Sequence, residues 1–229
     1  MKRKILWTVL PALVVPLIAS LFYFVWFSDH PLAATLYFAT KLFTVAWPAV
    51  VVLLIFRDKI KLDLKDPRHL NALLPGLLSG VAVAGLLFLL VKIPTLHTML
   101  ETAAPEMRNK AEQLGFLKHY LAFALFLSIL HSLIEEYYWR WFVYGHLRKI
   151  INPSFALVLS AIAFGSHHVV VTAQYFPLPW GFALGGLVAA GGAMWSLLLD
   201  RQRTIVGAWL SHMIIDLAVM WVGYRLLTG

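Results

Sequence analysis

The sequence predicts an all-α, polytopic transmembrane bundle of about seven spans, with six to eight bracketing the count. Three observations carry this. Of 229 residues, 61% are hydrophobic and 13% charged, and the mean hydropathy is +0.79, far above what a soluble core of this length needs. The apolar residues fall into runs of about 20, the length that crosses a hydrocarbon core as a helix. The formal charge of +8 is concentrated in the short connectors between those runs, where it reads as a topology signal and not as a nucleic-acid surface.

Taken in order, the runs are 5–27, 32–56, 70–91, 119–145, 153–175, 181–199 and 204–227. The first follows Met1-Lys-Arg-Lys4 and is too long for an ordinary signal-peptide core, so it reads as a retained span, a cleaved signal being the alternative. Lys41 interrupts the second; it can snorkel, face a cavity, or mark a misplaced boundary. Residues 92–118 form a polar connector, holding Glu101, Glu106, Arg108, Lys110 and Glu112, with room for a short surface helix. Gly181, Gly185, Gly186, Gly191 and Gly192 give the sixth run a small-residue face that lets helices approach closely. Trp7, Trp26, Trp139, Trp141, Trp180 and Trp221 stand near run ends, as an interfacial belt would place them. The whole chain, 1–229, reads as one integral-membrane domain whose motif-bearing core is 119–227.

Orientation follows from the basic residues. With the N-terminus in the cytoplasm, Lys2, Arg3, Lys4, Arg57, Lys59, Lys61, Lys65, Arg68, Arg148, Lys149, Arg201 and Arg203 lie inside, twelve in all, against five outside (Lys92, Arg108, Lys110, Lys118 and Arg225). The positive-inside rule therefore predicts N-in.

Ionisable residues inside spans are costly, by about 3 kcal/mol each on the gentler insertion scale, and mark function. Three runs carry them: Glu135, Glu136 and Arg140; His167 and His168; His212 and Asp216. With no cysteine, thiolate chemistry and Cys-ligated metal sites are excluded, which leaves acid–base chemistry. Glu136 and Arg140 share a helix face at i,i+4 and suit an ion pair, for which a buried structural salt bridge is an adequate account. Glu135, about 100° around the helix, is then left as a carboxylate suited to general-base work. His167 and His168 diverge by the same angle, so only one is expected to face the glutamates. His212 and Asp216 again lie four apart, chemically active or simply holding their helix in register. At 1.5 Å per residue, Glu135, His168, His212 and Asp216 stand about 15, 22, 12 and 18 Å from the cytoplasmic ends of their spans, inside one slab near mid-membrane. His131 lies one turn before Glu135 and is ambiguous; His30, His69, His97, His119 and His146 fall in connectors or at span ends and read as solvated.

Glu135-Glu-Tyr-Tyr-Trp-Arg140, Phe164-Gly-Ser-His-His168 and His212-Met-Ile-Ile-Asp216 together resemble the ordered E-E-x-x-x-R, F-x-x-x-H and H-x-x-x-N/D motifs of the CAAX protease and bacteriocin-processing (Abi, type II CAAX prenyl endopeptidase-like) family. The resemblance implies an intramembrane glutamic endopeptidase without cofactor or metal. It implies that Glu135 and His168 hold and deprotonate the attacking water, that His212 with Asp216 stabilises the oxyanion, and that Glu136 and Arg140 brace the site or orient substrate. The substrate implied is a membrane-anchored or amphipathic peptide or protein, lipidated or not, and the location a prokaryotic plasma membrane. Asp216 stands where the eukaryotic prenyl-protein enzymes carry Asn. An ionised Asp216 cannot donate to an oxyanion and instead orients His212, which shifts the donor role onto His212.

Competing readings keep the same residues. A zinc hydrolase would use the Glu and His side chains as ligands, although there is no H-E-x-x-H. A non-catalytic scaffold or bacteriocin-immunity protein, or a proton-coupled transporter, would also bury such charges.

Overall fold

The computed structural model describes residues 1–60, 63–113 and 115–228, so Lys61 of the topology count lies outside the described residues. Among the described residues every regular element is helical and none is a strand. Seven helices are long and apolar enough to cross a membrane: α1 (Lys2–Trp26), α2 (Leu32–Ile55), α3 (Pro67–Leu90), α5 (Leu117–Leu147), α6 (Pro153–Thr172), α7 (Leu178–Gln202) and α8 (Val206–Thr228). The runs of the sequence reappear with shifts of a few residues at their ends. The polar connector holds α4 (Pro94–Gln113), a 20-residue helix rather than a short one. Its exposed face is laced by i,i+4 pairs, His97–Glu101 at 3.3 Å and Arg108–Glu112 at 3.2 Å, which support a helix with little apolar surface to bury.

The chain divides into two compact units, residues 1–66 with 134–201 and residues 67–133 with 202–229. The first takes α1, α2, α6, nearly all of α7 and the second half of α5; the second takes α3, α4, the first half of α5 and α8.

In the first unit, polar side chains spend their hydrogen bonds on neighbouring helices, since no water serves them in an apolar interior. The Tyr138 hydroxyl donates to the Ala12 carbonyl at 2.8 Å and the Trp47 indole N–H to the Thr8 carbonyl at 2.9 Å. Asp200 receives both the Tyr144 hydroxyl and the Arg148 guanidinium. Helices α6 and α7 meet at Gly165 and Gly185, where a Cβ on Gly165 would stand 2.5 Å from the Gly185 carbonyl oxygen. Only residues without side chains permit that approach. The small-residue face expected on α7 is buried at Gly181, Gly185 and Gly192, whereas Gly186 faces open space.

The second unit rests on α3 against α8. A Cβ on Gly76 would stand 2.5 Å from the Gly207 carbonyl oxygen, and one on Gly80 would be 3.0 Å from Ser211 and Ile214. Beside these contacts Ser79 donates to Ser211 (3.1 Å) and His69 Nδ1 meets Thr204 Oγ1 (2.8 Å). The early part of α5 is tied to α8 by Tyr120, whose hydroxyl donates to the Met220 carbonyl at 2.7 Å, and by the Trp209 indole N–H on the Ile129 carbonyl at 2.9 Å.

Helix α5 is not regular. Phe126–His131 and Glu136–Tyr144 are π-helical, separated by a single α-helical turn, Ser132–Glu135. Such widened turns are rare and occur mostly at functional sites. Here one begins at the second motif glutamate.

Candidate active site

Two sites are built around the glutamate doublet, both within the first unit. Glu136 and Arg140 form the sealed one. Their side chains are 0% and 1% exposed, with Arg140 Nη1 3.3 Å from Glu136 Oε1. The guanidinium is sandwiched between aromatic rings, 4.2 Å from the Phe164 centroid and 4.8 Å from that of Trp195. Arginine suits this place because its flat, weakly hydrated cation stacks on π faces while its edge meets a carboxylate. Gly192 completes the pocket: a Cβ there would stand 2.9 Å from Phe164 and 3.0 Å from Arg140 Nη2.

Glu135 is in a different setting. It is the last residue of the α-helical turn in α5, and its side chain keeps 12% of its exposure. Both histidines of α6 reach it. Glu135, His167 and His168 each offer a ligand-type atom, and the three atoms lie within 4.8 Å of one another. The expectation that only one histidine would face the glutamates is therefore corrected. A 100° divergence at the backbone is bridged by two imidazoles, whose ring centroids end up 4.1 Å apart. His167 Nε2 is 4.0 Å from Glu135 Oε1.

Helix α6 carries these rings in a set register. Asn152 caps its start, the side-chain oxygen accepting from the Ser154 and Phe155 amides, and Pro153 follows where a missing N–H costs nothing. One turn before His168, the Phe164 carbonyl lies 3.0 Å from His168 Nδ1. A carbonyl can only accept, so Nδ1 bears the proton and the neutral ring presents Nε2 as a lone pair. Phe164 thus serves both sites, its carbonyl fixing the histidine tautomer and its ring lying under Arg140.

Side chains not foreseen as part of the site complete this end of the unit. Trp139, expected in an interfacial belt, is buried and stacks on His167 with centroids 5.8 Å apart and rings 7° from parallel. Lys41 does not snorkel: it lies over the Tyr37 ring at 5.3 Å and interacts electrostatically with Glu135 and His167. Tyr23 and Tyr37, from α1 and α2, feel Glu135 as well. The interruption by Lys41 of an apolar run was the available signal for this wall. Trp195 and the tyrosines gave none. His146, read as solvated, is buried, with Nδ1 2.8 Å from the Phe142 carbonyl.

The second unit holds the remaining motif. His212 is 5% and Asp216 27% exposed, and His212 Nε2 stands 3.6 Å from Asp216 Oδ1. The i,i+4 spacing on α8 delivers the pairing the sequence called for.

Residues 117–218 match the Type II CAAX prenyl endopeptidase Rce1-like family. The match contains all three motifs and bears out the resemblance read from them. No curated protein and no solved structure is found to match. The match spans somewhat under half of the chain, and the seven helices long and apolar enough to cross a membrane mark an integral membrane protein.

Proposed function

We propose that this protein is an intramembrane endopeptidase that hydrolyses a peptide bond in a membrane-anchored or amphipathic protein or peptide, with water activated by Glu135 and His168. The observation that supports it best is the setting of Glu135, a partly accessible carboxylate beside an imidazole whose Nδ1 is taken by the Phe164 carbonyl. In this reading a water donates one hydrogen to the Glu135 carboxylate and the other to the Nε2 lone pair of His168. As its oxygen attacks the scissile carbonyl carbon, Glu135 takes the first proton. His212, whose Nε2 faces Asp216, acts as the doubly protonated imidazolium and donates to the oxyanion from Nδ1. Collapse of the tetrahedral intermediate breaks the C–N bond, and Glu135 returns its proton to the leaving amine. The Glu136–Arg140 pair braces α5 against Phe164 and Trp195 and takes no part in proton transfer.

The reading places the protein in a prokaryotic plasma membrane and makes its N-terminus cytoplasmic, the orientation that the twelve-to-five distribution of basic residues favours. It gives the reaction no metal and no cofactor. Purified protein, stripped with a chelator and presented with membrane-anchored peptides in bilayers, is expected to cleave them, with products identified by mass spectrometry. His212→Ala is expected to lower the rate by about 10²–10³, the cost of losing one oxyanion donor. Chelated wild-type protein that cleaves nothing across a broad peptide library contradicts the proposal.

A further inference from the structure

We propose that Glu135, His167 and His168 form a binding site for a divalent transition metal of the Zn²⁺ type, and that the ion, once bound, blocks the reaction. The proposed water chemistry leaves one imidazole beside Glu135 unused. That chemistry takes Glu135 and His168; it assigns nothing to His167, which nevertheless brings a second imidazole to the same carboxylate. One carboxylate and two imidazoles are a set that binds zinc with three protein ligands and a fourth position open.

The geometry is close to what an ion needs. Zinc bonds of about 2.0–2.1 Å in a tetrahedron put ligand atoms roughly 3.3 Å apart. Glu135 Oε1 and His167 Nε2 are 4.0 Å apart, and the widest separation in the trio is within 4.8 Å. Each gap exceeds the ideal spacing by about 1.5 Å or less. A second observation points the same way. Metal-binding histidines characteristically give their other ring N–H to a carbonyl or carboxylate, which fixes the tautomer and aims the lone pair. His168 does so through Nδ1 and the Phe164 carbonyl at 3.0 Å. His167 is held by stacking on Trp139, which limits its ring rotation.

Lys41 opposes the ion, since it interacts with the same carboxylate. The ion competes with that charge for Glu135, and the two imidazoles give it ligands that the ammonium does not contest. Binding then removes both groups on which the proposed reaction depends. The Glu135 oxygen becomes a ligand instead of a base, and the His168 lone pair is no longer open to water. Binding rests on geometry alone, whereas blocking rests on the proposed function.

Co²⁺ supplies the test, because tetrahedral coordination gives it intense visible d–d absorption readable without any activity assay. Purified full-length protein in detergent, titrated with Co²⁺, is expected to develop these bands at one ion per chain and lose them on adding Zn²⁺. His167→Gln is expected to weaken binding by at least the roughly 10–100-fold that loss of a supporting hydrogen bond costs such sites. Zn²⁺ should then inhibit wild-type cleavage and leave His167→Gln resistant by the same factor. Wild-type protein that shows no Co²⁺ bands, or a His167→Gln variant that binds as tightly as wild type, overturns the site. Bands present, together with cleavage that is lost on chelation and restored by Zn²⁺, would uphold the site while overturning both the block and the metal-free reading of the reaction.

Discussion

Glu135 and Glu136 are neighbours in the chain and opposites in setting. Glu136 is sealed, its charge answered by Arg140 and the guanidinium clamped between Phe164 and Trp195. Glu135 keeps some exposure and meets imidazoles and an ammonium, groups that can exchange protons or yield to a ligand. The difference teaches that a carboxylate inside a membrane protein acquires its role from its surroundings. One that is ion-paired and buried contributes order. One that is partly exposed and loosely paired remains available for chemistry.

This contrast can be broken at several points. The largest expected effect is that of Glu135→Gln, which keeps the shape and removes the base. Cleavage should fall by about 10²–10⁴, the usual contribution of a positioned general base, with thermal unfolding unchanged. Next comes Arg140→Leu, which strands the Glu136 charge in a dry interior. Removing one partner of a buried pair costs about 3–5 kcal/mol, so the variant should show a sharply lowered unfolding midpoint in detergent and a loss of folded protein. Smaller again is Gly192→Ala, whose new methyl group would meet Phe164 and Arg140 at 2.9 and 3.0 Å. Overpacking of this kind costs about 1–3 kcal/mol. At the same step Gly186→Ala, which meets nothing within 4 Å, should stay within about 0.5 kcal/mol of wild type. Equal effects of the two glycine substitutions in an unfolding assay would show that the Arg140 pocket is less tightly closed than described.

Much of this was legible in the sequence because hydropathy is a local property. Twenty apolar residues declare a span wherever they stand, and all seven spans were found with only their ends displaced. The spacings of Glu136 to Arg140 and of His212 to Asp216 were equally local, and both pairs form. What escaped depends on tertiary structure. The π-helical turns of α5 have no composition of their own. That both His167 and His168 reach Glu135 is not legible in the spacing, because helical periodicity describes backbone angles and not the reach of an imidazole. Trp195 and Gly192 become partners of Arg140 only once α7 is laid beside α5 and α6. Gly76 and Gly207 lie more than a hundred residues apart, and only the packing of α3 on α8 makes their lack of side chains necessary.

The division of labour between the two glutamates is open to one direct measurement. Glu135→Gln and Glu136→Gln, prepared side by side, are assayed for cleavage of a membrane-anchored peptide, with each rate divided by the folded fraction determined in the same sample. The account predicts that Glu136→Gln is destabilised yet works within about tenfold of wild type per folded molecule, while Glu135→Gln folds normally and loses at least about a hundredfold. A folded Glu135→Gln protein that cleaves like wild type, or a well-folded Glu136→Gln protein that does not cleave, would contradict it.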